Sequence, residues 1–484
     1  MFSRPQRLLQ ATEAFAEYLD LARDEVPDQV DRELDSLEDE DDYPITRSEG
    51  DPQFLEWTAF FCNASGHALR RARTFRGATI YALAYVTRNI QSGAAQDVER
   101  PMVVTPLHIL CRGYGRSVEV AWVMAHLLRL NGLHACLIQL PELETQYERL
   151  CHAAGVFPPS SLHHFADSAL PAVVAGEGDL YTIVGVVIEQ KMYLFDPYRG
   201  VPLIRASDGA IADLQSLLKE KESLAPGFGG PRTPVTLEQL REAYFLVPAD
   251  SGNLLADAYL LGKILHDNGR YELVYRSFGN DLANVAAAVF GPGATDVDRR
   301  VTRIRVEGRG EMVTLWDVPF KLDRLLFSTP GYRKRLVRAH RRVTAYLLPR
   351  QAQLFGDYEA AGEMYDEVIK RFAERADVVE DAAFFKASST PSHALRAQRL
   401  TEYLGRYPTG RWRALATRLL AETEAVRGNF GVALELASQL AVPYDLYGAI
   451  LARNIRAGRK RLGWRFPKLS VPAGQKAPQP SAAK

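Results

Sequence analysis

Between positions 134 and 164 the chain places His134, Cys136, Cys151, His152, His163 and His164. Thiolate and imidazole are the ligands that suit zinc, so the cluster invites a metal reading. Against it, the run holds no Cys-x2-Cys or His-x3-His pair, the spacing that builds a tetrahedral site. His134 and Cys136 lie two apart in a strand pattern and share a face that packs inward. No metal and no cofactor is expected. Cys151 beside His152 offers a thiolate with a neighbouring base, with no further motif behind it. The glycine-rich stretches at 227–230 and 291–293 lack the Lys and the strand-to-helix context of a phosphate loop and read as loops.

A second candidate is the turn Arg112-Gly-Tyr-Gly-Arg-Ser117, which runs into Val-Glu-Val-Ala-Trp122 and an apolar helical pattern. Ser117 at the helix start suits an N-cap, its hydroxyl accepting a backbone N–H, a contribution of about 1 kcal/mol. Glu119 in the first turn suits the positive end of the helix dipole. Trp122, Met124 and Leu127 fall at helical spacing and read as core.

The elements that must position these groups follow from periodicity. Helices are expected over 6–25, Asp51–Arg73, Ile80–Ile90, Ser117–Leu130 (stopped at Asn131-Gly132) and Ile211–Ser223. A strand is expected over His134–Leu140. Tyr181–Ile188 and Met192–Phe195 read as a hairpin across Glu189-Gln190-Lys191. A second hairpin, about Thr302–Val306 and Met312–Val318, is expected outside the first compact unit. From about 346 the chain is helical. Gly356-Asp357-Tyr358 with Ala361 recurs as Gly428-Asn429-Phe430 with Ala433, and at the midpoint only Ala394 and Ala397 are in register. This spacing resembles tetratricopeptide repeats, whose helix pairs turn at Gly and approach closely at Ala; a helical bundle is the plainer alternative. The division expected is an N-terminal helix and acidic linker (1–50), a main domain (51–250), a mixed connecting region (251–345), a helical region (346–465) and an unstructured tail (466–484).

The chain has 484 residues, 47% hydrophobic and 24% charged, with 59 basic and 59 acidic side chains. Zero net charge argues against a general polyanion binder and against nucleic acid as partner. Residues 1–42 hold fourteen acids and four bases, whereas 333–342 and 453–465 are rich in Arg and Lys. Such runs read as solvated faces; the alternatives are an anion-binding surface, or docking of the acidic arm on the basic helices. Four cysteines do not make a disulfide framework. No apolar run approaches the ~20 residues of a membrane helix, and no signal peptide is read. A reduced, cytoplasmic setting and no membrane partner are expected.

Taken together, Arg112–Cys136 and Tyr181-Thr-Ile-Val-Gly-Val-Val-Ile-Glu-Gln-Lys-Met-Tyr-Leu-Phe-Asp-Pro197 resemble the transglutaminase-like branch of the papain-type fold. The likeness covers roughly residues 50–250 and is nearest to a bacterial subgroup with a Leu-Phe-Asp motif and a long helical extension. It implies an α+β, papain-like domain with a helix packed on an antiparallel sheet, followed by the helical, tetratricopeptide-like region.

In that family a Cys at the helix start is activated by a His on the later strand, which an Asp orients. The three positions here fall on Ser117, Tyr181 and Asp196, with Thr182 taking the His place if the register slips by one. Only the Asp matches. Arg116, Glu119 and Trp122, beside Ser117, are candidate binding residues. The resemblance therefore implies a non-catalytic member, a binding or scaffold module for a protein or peptide. The alternative is an amide hydrolase or acyltransferase with an altered triad, in which His163 or His164 would serve Ser117.

Overall fold

The structure, a computed structural model, describes residues 63–92, 106–140, 181–219, 224, 235–248, 284–289, 303–306, 310–316, 345–440, 444–457 and 466. The acidic N-terminal run, Cys62, Cys151, His152, His163, His164, the basic run at 333–342 and the tail beyond 466 lie outside these residues.

Helix and sheet are mixed, and the C-terminal region is helical. Helix α1 (Phe75–Asn89) begins five residues before the expected Ile80, because the Thr74 hydroxyl caps it by accepting the Gly77 N–H at 3.0 Å. Strand β1 (Gln91–Ser92) leads to α2 (Pro106–Arg112) and pairs in parallel with β2 (Tyr114–Gly115). Helix α3 (Ser117–Leu130) has the expected bounds and is buried all round from Val120 to Ala125. A helix apolar on every side belongs between layers.

Strands β3 (His134–Leu140), β4 (Tyr181–Ile188), β5 (Lys191–Asp196) and β6 (Val201–Pro202) follow. After them come α4 (Leu214–Lys219), α5 (Leu237–Glu242), β7 (Tyr244–Pro248), β8 (Arg303–Val306) and β9 (Gly310–Trp316). Among the described residues nine strands make a two-stranded sheet and a seven-stranded one of order β6-β5-β4-β3-β7-β9-β8, in which β7–β9 is the parallel pair and the other pairs are antiparallel. The β8–β9 hairpin, expected outside the main unit, therefore extends its sheet. Hairpin β4–β5 turns on Glu189 and Gln190, at φ 52° and 61°. That two-residue turn, in place of the expected three, matches the right-handed strand twist. The helix expected over Ile211–Ser223 shrinks to α4 because Ile211 bridges Ile204 and Asp213 bridges Tyr193; Asp213 then caps α4 through the Ser216 N–H at 2.9 Å.

Residues 345–355 are helical. Beyond them come α6 (Tyr358–Arg371), α7 (Ala376–Ser389), α8 (His393–Arg406), α9 (Arg413–Arg427), α10 (Phe430–Ser438) and α11 (Asp445–Arg456). Gly356 and Gly428 occupy equivalent turns at φ 87° and 89°, and Ala361 and Ala433 are both fully buried. At the midpoint Ser392 replaces Gly and caps α8, while Ala397 is buried.

This region is welded to the N-terminal elements. Arg350, fully buried, donates through Nη2 to the carbonyls of Asn89 (2.6 Å) and Leu110 (3.1 Å), with its guanidinium 4.2 Å from the Phe385 ring centre. Trp412 stacks on Phe384 at 4.8 Å and donates to Asp381 Oδ1 at 2.8 Å. The Ser92 N–H donates to the Tyr444 hydroxyl at 2.8 Å. Phe466, expected to open an unstructured tail, packs edge-on against Tyr193 at 4.9 Å.

Candidate functional site

The glycine turn is held from the C-terminal side. Gly113 has φ +79°, and a Cβ there would lie 2.9 Å from Phe385 Cζ and 3.0 Å from Trp412; only a residue without a side chain fits both the conformation and the space. Tyr114 lies 6.2 Å from the Trp412 ring. The turn delivers Ser117 as the first helical residue of α3, with Arg116 as the N-cap. This corrects the expectation that Ser117 caps. Glu119 does the capping instead, its Oε2 accepting the Arg116 N–H at 2.8 Å. The Ser117 hydroxyl is thereby free to face β4, where it accepts the Thr182 N–H at 3.4 Å.

Beside Thr182, the Tyr181 hydroxyl donates to Asp196 Oδ2 at 2.7 Å, and Asp196 Oδ1 accepts the Arg199 N–H at 3.0 Å. The Tyr181 ring is met edge-on by Tyr198 at 5.9 Å and lies 5.5 Å from the Arg199 guanidinium. Ser117, Tyr181 and Asp196 are all at most 3% exposed. Burial pushes the Asp196 carboxyl above the usual range; Arg199, with Nε at 3.9 Å, and the Tyr181 hydroxyl oppose this only in part. Glu119 shows the reverse balance. Burial pushes it up, but Arg112 at 2.6 Å and Arg116 hold it below the usual value.

The fold thus brings the three sequence-selected positions to one end of α3. Tyr181, where the resemblance led to the expectation of a His, is a phenol whose proton is committed to Asp196. The hydroxyl at the helix start acts as an acceptor of a strand amide. Of the candidate binding residues, Trp122 is 3% exposed within the core and Glu119 is engaged by Arg112; Arg116 keeps 19% of its side chain exposed. His163 and His164 lie outside the described residues.

Among the described residues no group of three His, Cys, Asp or Glu is arranged to hold a metal ion. Cys136 is buried in β3, and burial pushes its thiol up. Cys111 is buried in α2, and burial pushes its thiol up to about 12. No described helix is long and apolar enough to cross a membrane.

Sequence reasoning passed over Tyr198, Arg199 and Trp412. Arg199 had a signal: Asp196-Pro-Tyr-Arg199 is a turn sequence in which an Asp oxygen accepts a later backbone N–H. Trp412 had none, since it reaches the glycine turn across some 300 residues of chain.

No protein-family model, curated protein or solved structure matches the chain.

Proposed function

We propose that residues 51–250 form a degenerate member of the transglutaminase-like branch of the papain-type fold, acting as a non-catalytic binding or scaffold module for a protein or peptide. The tetratricopeptide-like helix pairs of 346–465 supply the partner-facing part. The observation that carries this reading is the closed pair Tyr181–Asp196 beside a buried Ser117. A hydrogen-bonded phenol replaces the imidazole that would have to accept the nucleophile's proton and return it to the leaving amine. Serine needs that base more than cysteine does, because almost none of it ionises near pH 7.

The test is turnover by the full chain and by Ser117→Ala, assayed as transfer of a labelled amine to a glutamine peptide and as hydrolysis of a peptide library. Equal inertness is the expected result. Turnover by the wild type that Ser117→Ala abolishes would overturn the reading and establish the altered-triad enzyme.

A further inference from the structure

Away from the Ser117 cluster, a cavity of about 240 Å³ opens between α1, the end of the helix at 63–69, and α7 and α8. Arg70, Arg71, Arg88 and Arg396 line it together with His67 and Tyr358, and no carboxylate is among its lining residues. Arg70 and Arg71 are adjacent, Arg88 follows on α1, and Arg396 comes from α8 some 300 positions on, so the fold completes what a local pair of cations begins.

A second cavity of about 330 Å³ shares Arg71, Tyr81, Arg88, Arg396 and Leu419 with the first. It adds Arg418 and a set of apolar groups, among them Leu83 and Leu451, and one acid, Glu422. Glu422 is engaged three times, by Arg88 Nε at 3.1 Å, by Arg418 Nε at 3.4 Å and by the Tyr447 hydroxyl, which donates to Oε1. Across the two cavities five guanidinium groups face one carboxylate.

We propose that these joined cavities bind a small phosphate ester, its phosphate among Arg70, Arg71, Arg88 and Arg396 and its apolar or aromatic body beside Tyr81 and Leu419. Arg is the side chain suited to grip phosphate oxygens through paired N–H groups. The first cavity is below the ~300–1,000 Å³ of drug-sized sites, so it suits a phosphate group, and the adjoining space suits the rest of the molecule. Tyr358 is already oriented, its hydroxyl 3.0 Å from His67 Nε2. Glu422 compensates Arg88 and raises it, leaving Arg70, Arg71 and Arg396 as the cations of the first cavity without a carboxylate in its lining. Burial, then the charge of Arg88, lowers Arg396. Burial, then Arg70 and Arg71, lowers His67 to about 4, so its imidazole is neutral at pH 7 and adds no competing charge. An anion in this place offsets the burial and the neighbouring positive charge that lower Arg396 and His67.

The experiment is calorimetric titration of the full chain with phenyl phosphate and with inorganic pyrophosphate, against sodium chloride at matched ionic strength. Variants are Arg70→Gln with Arg71→Gln, both at exposed positions, and Arg396→Gln. Arg375→Gln, whose guanidinium pairs with Asp377 on the exposed start of α7, is the control. Thermal melts without ligand check that each variant folds. The expected result is saturable binding of phenyl phosphate, weakened by about tenfold or more in the Arg70/Arg71 double variant and unchanged in Arg375→Gln. Binding of pyrophosphate without phenyl phosphate would assign the site to a free inorganic anion and overturn the ester. No saturable binding, a response matched by chloride, or equal affinity in folded double variant and wild type would overturn the site itself.

Discussion

The Tyr181 hydroxyl reaches Asp196 Oδ2 at 2.7 Å from the first residue of one hairpin strand to the last residue of the other, with both groups out of contact with water. Removing the hydroxyl strands a buried acceptor. Tyr181→Phe should lower unfolding free energy by about 1–3 kcal/mol, read from urea denaturation. A loss near zero would mean that Oδ2 has another donor of equal worth.

Asp196 also sets a pH dependence. Its folded-state pKa lies above the usual carboxylate value, so the folded form holds its proton where the unfolded form has released it. Its contribution is favourable in acid and is lost as pH rises from about 3.9 through the folded value. Asp196→Asn keeps a carbonyl for the Arg199 N–H and gains an N–H for the Tyr181 oxygen. Stability near neutral pH should stay within about 1 kcal/mol of wild type or rise, and the decline above pH 4 should flatten. A steeper decline in the variant would reverse the sign assigned to this group.

Gly113→Ala tests the weld between the glycine turn and the C-terminal helices. The methyl meets Phe385 and Trp412 near 3 Å at a φ of +79°. The combination of left-handed strain and overpacking should cost about 2–4 kcal/mol. Trp412 fluorescence and hydrogen exchange at Gln91–Ser92 should report the opening together. Gly428→Ala, with nothing within 4 Å of the new methyl, should show the strain alone, about 1 kcal/mol.

Cys111 and Cys136 should resist iodoacetamide at pH 8 in the native protein and be alkylated at once in urea, as peptide mapping by mass spectrometry would show. Both are buried, and the Cys111 thiol is pushed up to about 12, so little thiolate forms. Modification of either in the native state at the rate of a free thiol would contradict the packing of α2 and β3.

Local patterns were legible where one residue's neighbours in sequence are also its neighbours in space. The bounds of α3, β3 and β4 follow from apolar periodicity and the Asn131-Gly132 stop. The equivalence of Gly356 and Gly428 follows from their repeated context. Ser117 was misread by one position because Glu119 competes for the capping role, and a sequence shows both candidates without their ranking. The parallel pairing of β7 with β9 was hidden because its partners lie about 70 residues apart; β9 reads as half of a local hairpin, and the short run Tyr244–Pro248 was passed over as a strand. The Arg cavity left no trace: Arg70, Arg88 and Arg396 sit in unrelated contexts. Burial of Trp122 was legible and its assignment to binding was not compatible with it.

The bond from Ser92 to Tyr444 spans 352 positions. During synthesis at about 5–20 residues per second, about 20–70 s separate the emergence of its two ends. Over that interval α1, β1 and the glycine turn gain first Arg350, then Trp412 and last Tyr444, the side chains that close over them. The surface that α1, β1 and the glycine turn present is closed only when the C-terminal helices have been made, so their place late in the chain sets when the molecule becomes whole.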